Sequence, residues 1–152
     1  MPTLKDQLRA DLTTAMKARD ETRTRTLRMA LTAISTEEVS GTTAHHLTDE
    51  EIVRILTREA KRRREAAAAF AEAGRADQAA AEQAEEKVLT GYLPAQLDDT
   101  ELAALVAAAI AETGAAGPAG IGPVMKLVTP RVAGRADGSR VAAVVRSQLT
   151  GA

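Results

Sequence analysis

The chain has 152 residues, 20 of them Lys or Arg and 21 Asp or Glu, for a formal charge of −1, and 45% of its residues are hydrophobic. That length supports one domain or two small ones with a sizeable buried core. With no cysteine, no tryptophan, one Phe and one Tyr, the sequence excludes disulfides, thiolate metal sites, Fe–S clusters and a cysteine nucleophile, and leaves almost no aromatic surface for stacking bases or sugars.

About a fifth of the residues are Ala, Gly and Pro fall mostly between periodic segments, and strand-like alternation is scarce, so the expected fold class is all-α. Leu4, Leu8, Leu12 and Met16 recur every fourth residue and predict a first helix with one narrow apolar stripe, ending near Asp20. Leu27, Ala30, Leu31 and Ile34 predict a second, with Arg25 and Arg28 on its opposite face. The two should pair as a hairpin or form one bent helix. The polar stretch from Val39 to His46 reads as a loop. After it, Thr48 as N-cap places Glu51 where it closes a capping box, with Leu47 and Ile52 as a hydrophobic staple. A third helix is predicted from Asp49 to about Ala73, stopped by Gly74. A fourth runs from about Arg75 to Tyr92 with Ala81, Ala84, Val88 and Leu89 inward.

Pro94 interrupts the pattern, and the helix-start signature repeats at once in Leu97, Asp98, Glu101 and Leu102. A second unit is expected to begin here. Its first helix carries Leu102, Leu105, Val106, Ala109 and Ile110 and closes at Gly114. A loop from Ala115 to Gly122 leads to a helix with Val124, Met125, Leu127, Val128 and Val132, kinked or shortened by Pro130. The last helix presents Val141, Val144, Val145 and Leu149, and its β-branched content also allows a strand. The expected architecture is therefore an N-terminal domain of long antiparallel helices, residues 1–93, followed by a small three-helix tail, residues 97–152. No apolar run reaches the roughly 20 residues that span a bilayer. Lys5, Asp6, Arg9 and Asp11 interrupt the segment where a signal peptide needs an apolar core. A cytoplasmic protein without a membrane partner is expected.

The charges are unevenly placed. Up to Leu97 there are 15 basic and 16 acidic residues, whereas from Gly114 onward Lys126, Arg131, Arg135, Arg140 and Arg146 face only Asp137. A basic tail attracts phosphates, although the same pattern also describes a solubilising surface. A second basic run, Arg54, Arg58, Lys61, Arg62, Arg63 and Arg64, lies mostly on the solvated face of the third helix. Glu59 and Arg63 instead project into its apolar face at i, i+4, an ion pair that fixes helix register or lines an interdomain cleft.

No catalytic constellation emerges. His45 and His46 are adjacent in a loop, no further His or Cys completes a metal shell, and acid pairs such as Asp98 with Asp99 sit where they cap helices. No phosphate-binding glycine motif of the Walker or dinucleotide type is present, so no metal and no cofactor is expected. The segment Gly134-Arg135-Ala136-Asp137-Gly138-Ser139 is distinctive. Gly134 suits a left-handed C-cap, Asp137 or Ser139 a new N-cap, and the helix N-terminus beside Arg135 and Arg140 offers an anion site. A purely structural turn accounts for the glycines equally well.

Taken together, these residues resemble the YqeY family, stand-alone relatives of the C-terminal region of GatB, a subunit of glutamine-dependent aminoacyl-tRNA amidotransferase. The resemblance rests on Asp11, Met16, Lys17, Asp20, Arg23, Arg28 and Met29 near the start and on Glu59, Lys61 and Arg63. It continues in Tyr92-Leu93-Pro94-Ala95-Gln96-Leu97, in Gly122, Val124 and Met125, and in the Gly134 to Ser139 segment with Val141, Val145 and Leu149. It implies two helical units and a tail that contacts tRNA, while the catalytic centres of the amidotransferase have no counterpart here. Kinship with a carbon–nitrogen ligase using glutamine as amido-N-donor is implied at family level, not catalysis by this chain alone. Ala142 stands where the family often has Asn, and Arg135 where Lys is commonest. The implied partner is tRNA, with Lys126, Arg131, Arg135 and Arg140 as phosphate contacts and Gly134, Gly138 and Ser139 shaping the loop. The competing expectation is a helical module docking on an amidotransferase or another translation-related enzyme.

Overall fold

A computed structural model describes residues 2–151, and among them every regular element is helical. The chain divides between Leu93 and Pro94 into two compact units.

The first unit contains α1 (Leu4–Lys17), α2 (Glu21–Glu38), α3 (Asp49–Glu72) and α4 (Ala76–Thr90). Each of the first three starts on a side-chain cap: Thr3 with Asp6 and Thr48 with Glu51 as reciprocal capping boxes, and Asp20 on the Arg23 N–H. Arg19, at φ 57°, breaks the chain between α1 and α2, so these are two helices, not one bent helix. Gly74, at φ 74°, makes the left-handed turn between α3 and α4. Leu8, Leu27, Ile34, Ile52, Leu56 and Leu89 are fully buried in one cluster, each such side chain contributing roughly 1.5–3 kcal/mol of transfer free energy. Two expectations fail at alanines and a methionine. Met16 is 48% exposed, and Ala81 and Ala84 lie outside while α4 turns Ala79, Glu85 and Leu89 inward. Alanine marks a face too weakly to set the rotation of α4. Leu89 is buried in the core as expected, and Glu85 shares its face.

The second unit contains α5 (Asp99–Thr113), a 3₁₀ turn (Pro118–Gly120), α6 (Ile121–Val132) and α7 (Gly138–Thr150). Asp98 and Glu101 form the capping box of α5, and Gly114 ends it at φ 65°. The β-branched tail is a helix, its Val141 and Val145 packing with Leu97, Leu102, Val106, Val124, Val128 and Val132. Pro130 sits in the last turn of α6, which ends at Val132. A Cβ on Gly120 would meet the Ala115 Cβ at 2.7 Å, so only glycine fits where the turn crosses that residue. Among the described residues no single helix is long and apolar enough to cross a membrane.

Candidate functional site

In the second unit the segment between α6 and α7 is a clasp. Ala133 at φ 34° and Gly134 at φ 79° turn the backbone through two left-handed residues. The Leu97 N–H then donates to the Arg135 carbonyl at 2.8 Å, and Gln96 Nε2 donates to the Gly134 carbonyl at 3.0 Å. Arg140 closes the arrangement from α7, donating to the Leu97 carbonyl at 2.9 Å and to Asp99 at 2.7 Å.

This geometry changes the accounting for each tail residue named from sequence. Asp137, not Ser139, is the N-cap of α7, and its carboxylate accepts from both the backbone N–H and the hydroxyl of Ser139. An anion at that helix terminus would meet a carboxylate already in place. Gly138 forms the first residue of α7. Arg131 is gripped in two-point fashion by Glu112 of α5, which holds the Glu112 carboxyl below its ordinary range. Arg135 donates to the Arg131 carbonyl at 3.1 Å. Lys126 and Arg146 are exposed and have no hydrogen-bond or ion-pair partner among the described residues. The surplus of charge after Gly114 is thus partly answered by acids of α5.

In the first unit, Glu59 and Arg63 are brought together with side chains only 13% and 7% exposed, Arg63 Nη1 lying 3.4 Å from Glu59 Oε2 and 3.1 Å from its carbonyl. They belong to a larger network. Arg63 Nε is 3.6 Å from Glu85 of α4, and Glu85 accepts from Arg25 of α2 at 2.9 Å. The remaining Arg63 nitrogen reaches the Met29 sulfur at 3.6 Å. Two carboxylates and two guanidiniums from three helices thereby approach charge balance, the condition under which burial of charge is tolerated. Arg63 Nε is nonetheless buried without a hydrogen-bond partner.

A second polar cluster joins α1, α2 and the residues after α4. Tyr92 donates to Asp11 at 2.6 Å and accepts from Arg23 at 2.9 Å, with the Arg23 guanidinium 5.8 Å from the ring centroid. Burial, followed by the Asp11 hydrogen bond, pushes the Tyr92 hydroxyl well above its ordinary value. Sequence reasoning missed Glu85, Arg25 and the convergence on Tyr92. Glu85 falls among alanines with nothing nearby in sequence to flag burial.

His46 lies exposed with Nδ1 3.7 Å from Glu38, and no group of three metal-ligating side chains forms among the described residues. What the two polar clusters do chemically is hold helices in register. What the exposed cations offer is attraction for phosphate. The family model described as Yqey-like protein matches residues 5–149 of this chain. No curated protein matches it.

Proposed function

Because the chain belongs to the Yqey-like protein family, we propose that it serves as a non-catalytic, tRNA-binding accessory module linked to glutamine-dependent tRNA amidation, its three-helix tail, residues 97–152, acting as a domain beside the helical domain of residues 1–93. The observation that carries this reading is the set of cations on the tail: Lys126 and Arg146 exposed and without partners, and Arg135 half-buried and engaged only by a carbonyl. Arg131 and Arg140 are committed to Glu112 and Asp99, but Asp99 is almost fully exposed. Surface pairs of this kind contribute about 0–1 kcal/mol, so a phosphate can replace the acid at little cost. With one Phe and one Tyr in the chain, recognition rests on backbone and shape, not on stacked bases.

The test is a tRNA titration of the intact protein at low and moderate salt, beside Lys126→Glu/Arg146→Glu, which touches no structural contact. Salt-sensitive binding weakened in the variant supports the reading, and binding that is absent or indifferent to both salt and the variant removes it. A second reading, docking on a translation-related enzyme, is favoured by one observation. Met16, Met29 and Val39, the exposed large hydrophobics among the described residues, lie on α2 or against it.

A further inference from the structure

We infer that the exposed face of α3, led by Arg54 and Arg58, is a second phosphate-binding surface of this chain and takes the sugar–phosphate backbone of RNA. The inference rests on the tRNA-binding reading above and adds a contact surface in the N-terminal unit.

The basis is an accounting of partners along one helix. Ile52, Ile55, Leu56, Ala60, Arg63 and Ala67 of α3 are buried. At 100° per residue Arg54, Arg58, Lys61 and Arg62 fall on the opposite side. Arg54, Arg58 and Arg62 follow one another every fourth residue, a stride of about 6 Å along the helix axis, comparable to the step between successive phosphates of one strand. Arg54 and Arg58 are exposed and make no hydrogen bond or ion pair among the described residues. Arg62, with its side chain 68% exposed, reaches Glu59 at 3.4 Å. That carboxylate is already committed to Arg63 on the buried side.

Most acids along the stripe are engaged elsewhere, although Glu50 lies exposed one turn before Arg54 and the Glu51 carboxylate feels the Arg54 charge. Glu59 is turned inward, Glu51 accepts from the Thr48 N–H in its capping box, and Glu86 takes Arg64 at 3.0 Å. Glu65, 4.0 Å from Lys61, closes the far end of the stripe. The tail shows the reverse arrangement, with Arg131 and Arg140 each answered by a carboxylate. Between the α3 arginines there is no aromatic and no exposed large hydrophobic, so the face lacks the apolar anchors on which protein partners dock. Its chemistry is that of a row of guanidinium forks.

The experiment compares the intact protein with Arg54→Glu/Arg58→Glu and Arg54→Lys/Arg58→Lys, using unfractionated tRNA at a series of salt concentrations, with circular dichroism confirming equal helicity and melting. The glutamate variant is expected to bind at least fivefold more weakly at low salt. Its slope of log affinity against log salt should be shallower by about 1.4–1.8, the loss of two phosphate contacts at about 0.7–0.9 each. The lysine variant is expected to keep most of the slope. A glutamate variant that titrates like the intact protein overturns the inference and leaves tRNA binding through the tail standing. No salt-sensitive binding by the intact protein overturns both.

Discussion

Arg63 of α3 and Glu85 of α4 are each more than nine-tenths buried, and Arg63 Nε lies 3.6 Å from Glu85 Oε2. A charge so placed is tolerable only while its counter-charge is present, so the pair contributes specificity more than net stability. Glu85→Ala is expected to lower the unfolding free energy by about 3 kcal/mol, because it leaves Glu59 as the one carboxylate facing the buried Arg63 and releases Arg25. Arg63→Met/Glu85→Met should recover most of that loss. Urea unfolding of the two variants decides it, and a double variant no better than the single would show that the network itself is the stabilising element.

Tyr92 is the only tyrosine and the chain has no tryptophan, so ultraviolet titration reports this one hydroxyl. Its folded-state value is raised above the ordinary 10.0 by burial and by the hydrogen bond to Asp11. A raised value means that the stabilisation is fully present below pH 10 and is lost as pH rises beyond it. Phenolate absorbance should therefore stay flat past pH 10 until the protein unfolds. Tyr92→Phe, which removes the bond to a carboxylate, should cost about 1.5–3 kcal/mol.

The acid limb has a different origin. Glu38 is held below the ordinary glutamate value of 4.5 by its hydrogen bond to Lys5, Glu51 and Asp6 by backbone donors at their own N-caps, and Glu112 by Arg131. Depressed values give stability that is present above the unfolded value and lost as pH falls through the folded one. Stability should hold from neutrality down to about pH 4.5 and then decline. In Glu38→Gln the decline should be shallower, as followed by urea midpoints at successive pH values.

Met16 and Met29 are nearly half exposed, and the sulfur of each lies within 3.8 Å of a guanidinium nitrogen, from Arg28 and Arg63 respectively. Met125 packs against the core of the second unit. Peroxide should convert Met16 and Met29 to sulfoxides well before Met125, read by peptide mass spectrometry. The fold should survive, because a sulfoxide oxygen is a stronger acceptor for the arginine than the thioether it replaces. Early oxidation of Met125 or a collapse of helicity would contradict this.

Helix boundaries were legible wherever a cap announced them. Thr48 with Glu51, Asp98 with Glu101, and the glycines at 74 and 114 act in the structure as their spacing suggests. Rotation about a helix axis was legible only where large aliphatic residues defined a face. Met16 continued the stripe of Leu4, Leu8 and Leu12 by spacing, yet α1 ends one residue later and leaves it exposed. In α4 alanines gave no preference, and the burial of Glu85 answers partners 22 and 60 residues away in sequence. The tail arginines could be counted from sequence, but whether a carboxylate had already claimed each of them depended on where α5 packs.

The clasp between Leu97 and Arg135 also bears on how the second unit forms. Gln96 and Gly134, which bond beside it, are 38 residues apart, so the clasp is a long-range closure whose entropy is spent before its hydrogen bonds return anything. It cannot nucleate the unit. It forms once α5, α6 and α7 have already found one another, and then ties the start of the unit's chain to the beginning of its last helix. By the same logic the clasp is the first contact to open, and the amide proton of Leu97 should exchange with solvent by local release of the clasp, ahead of the amides inside α5, α6 and α7.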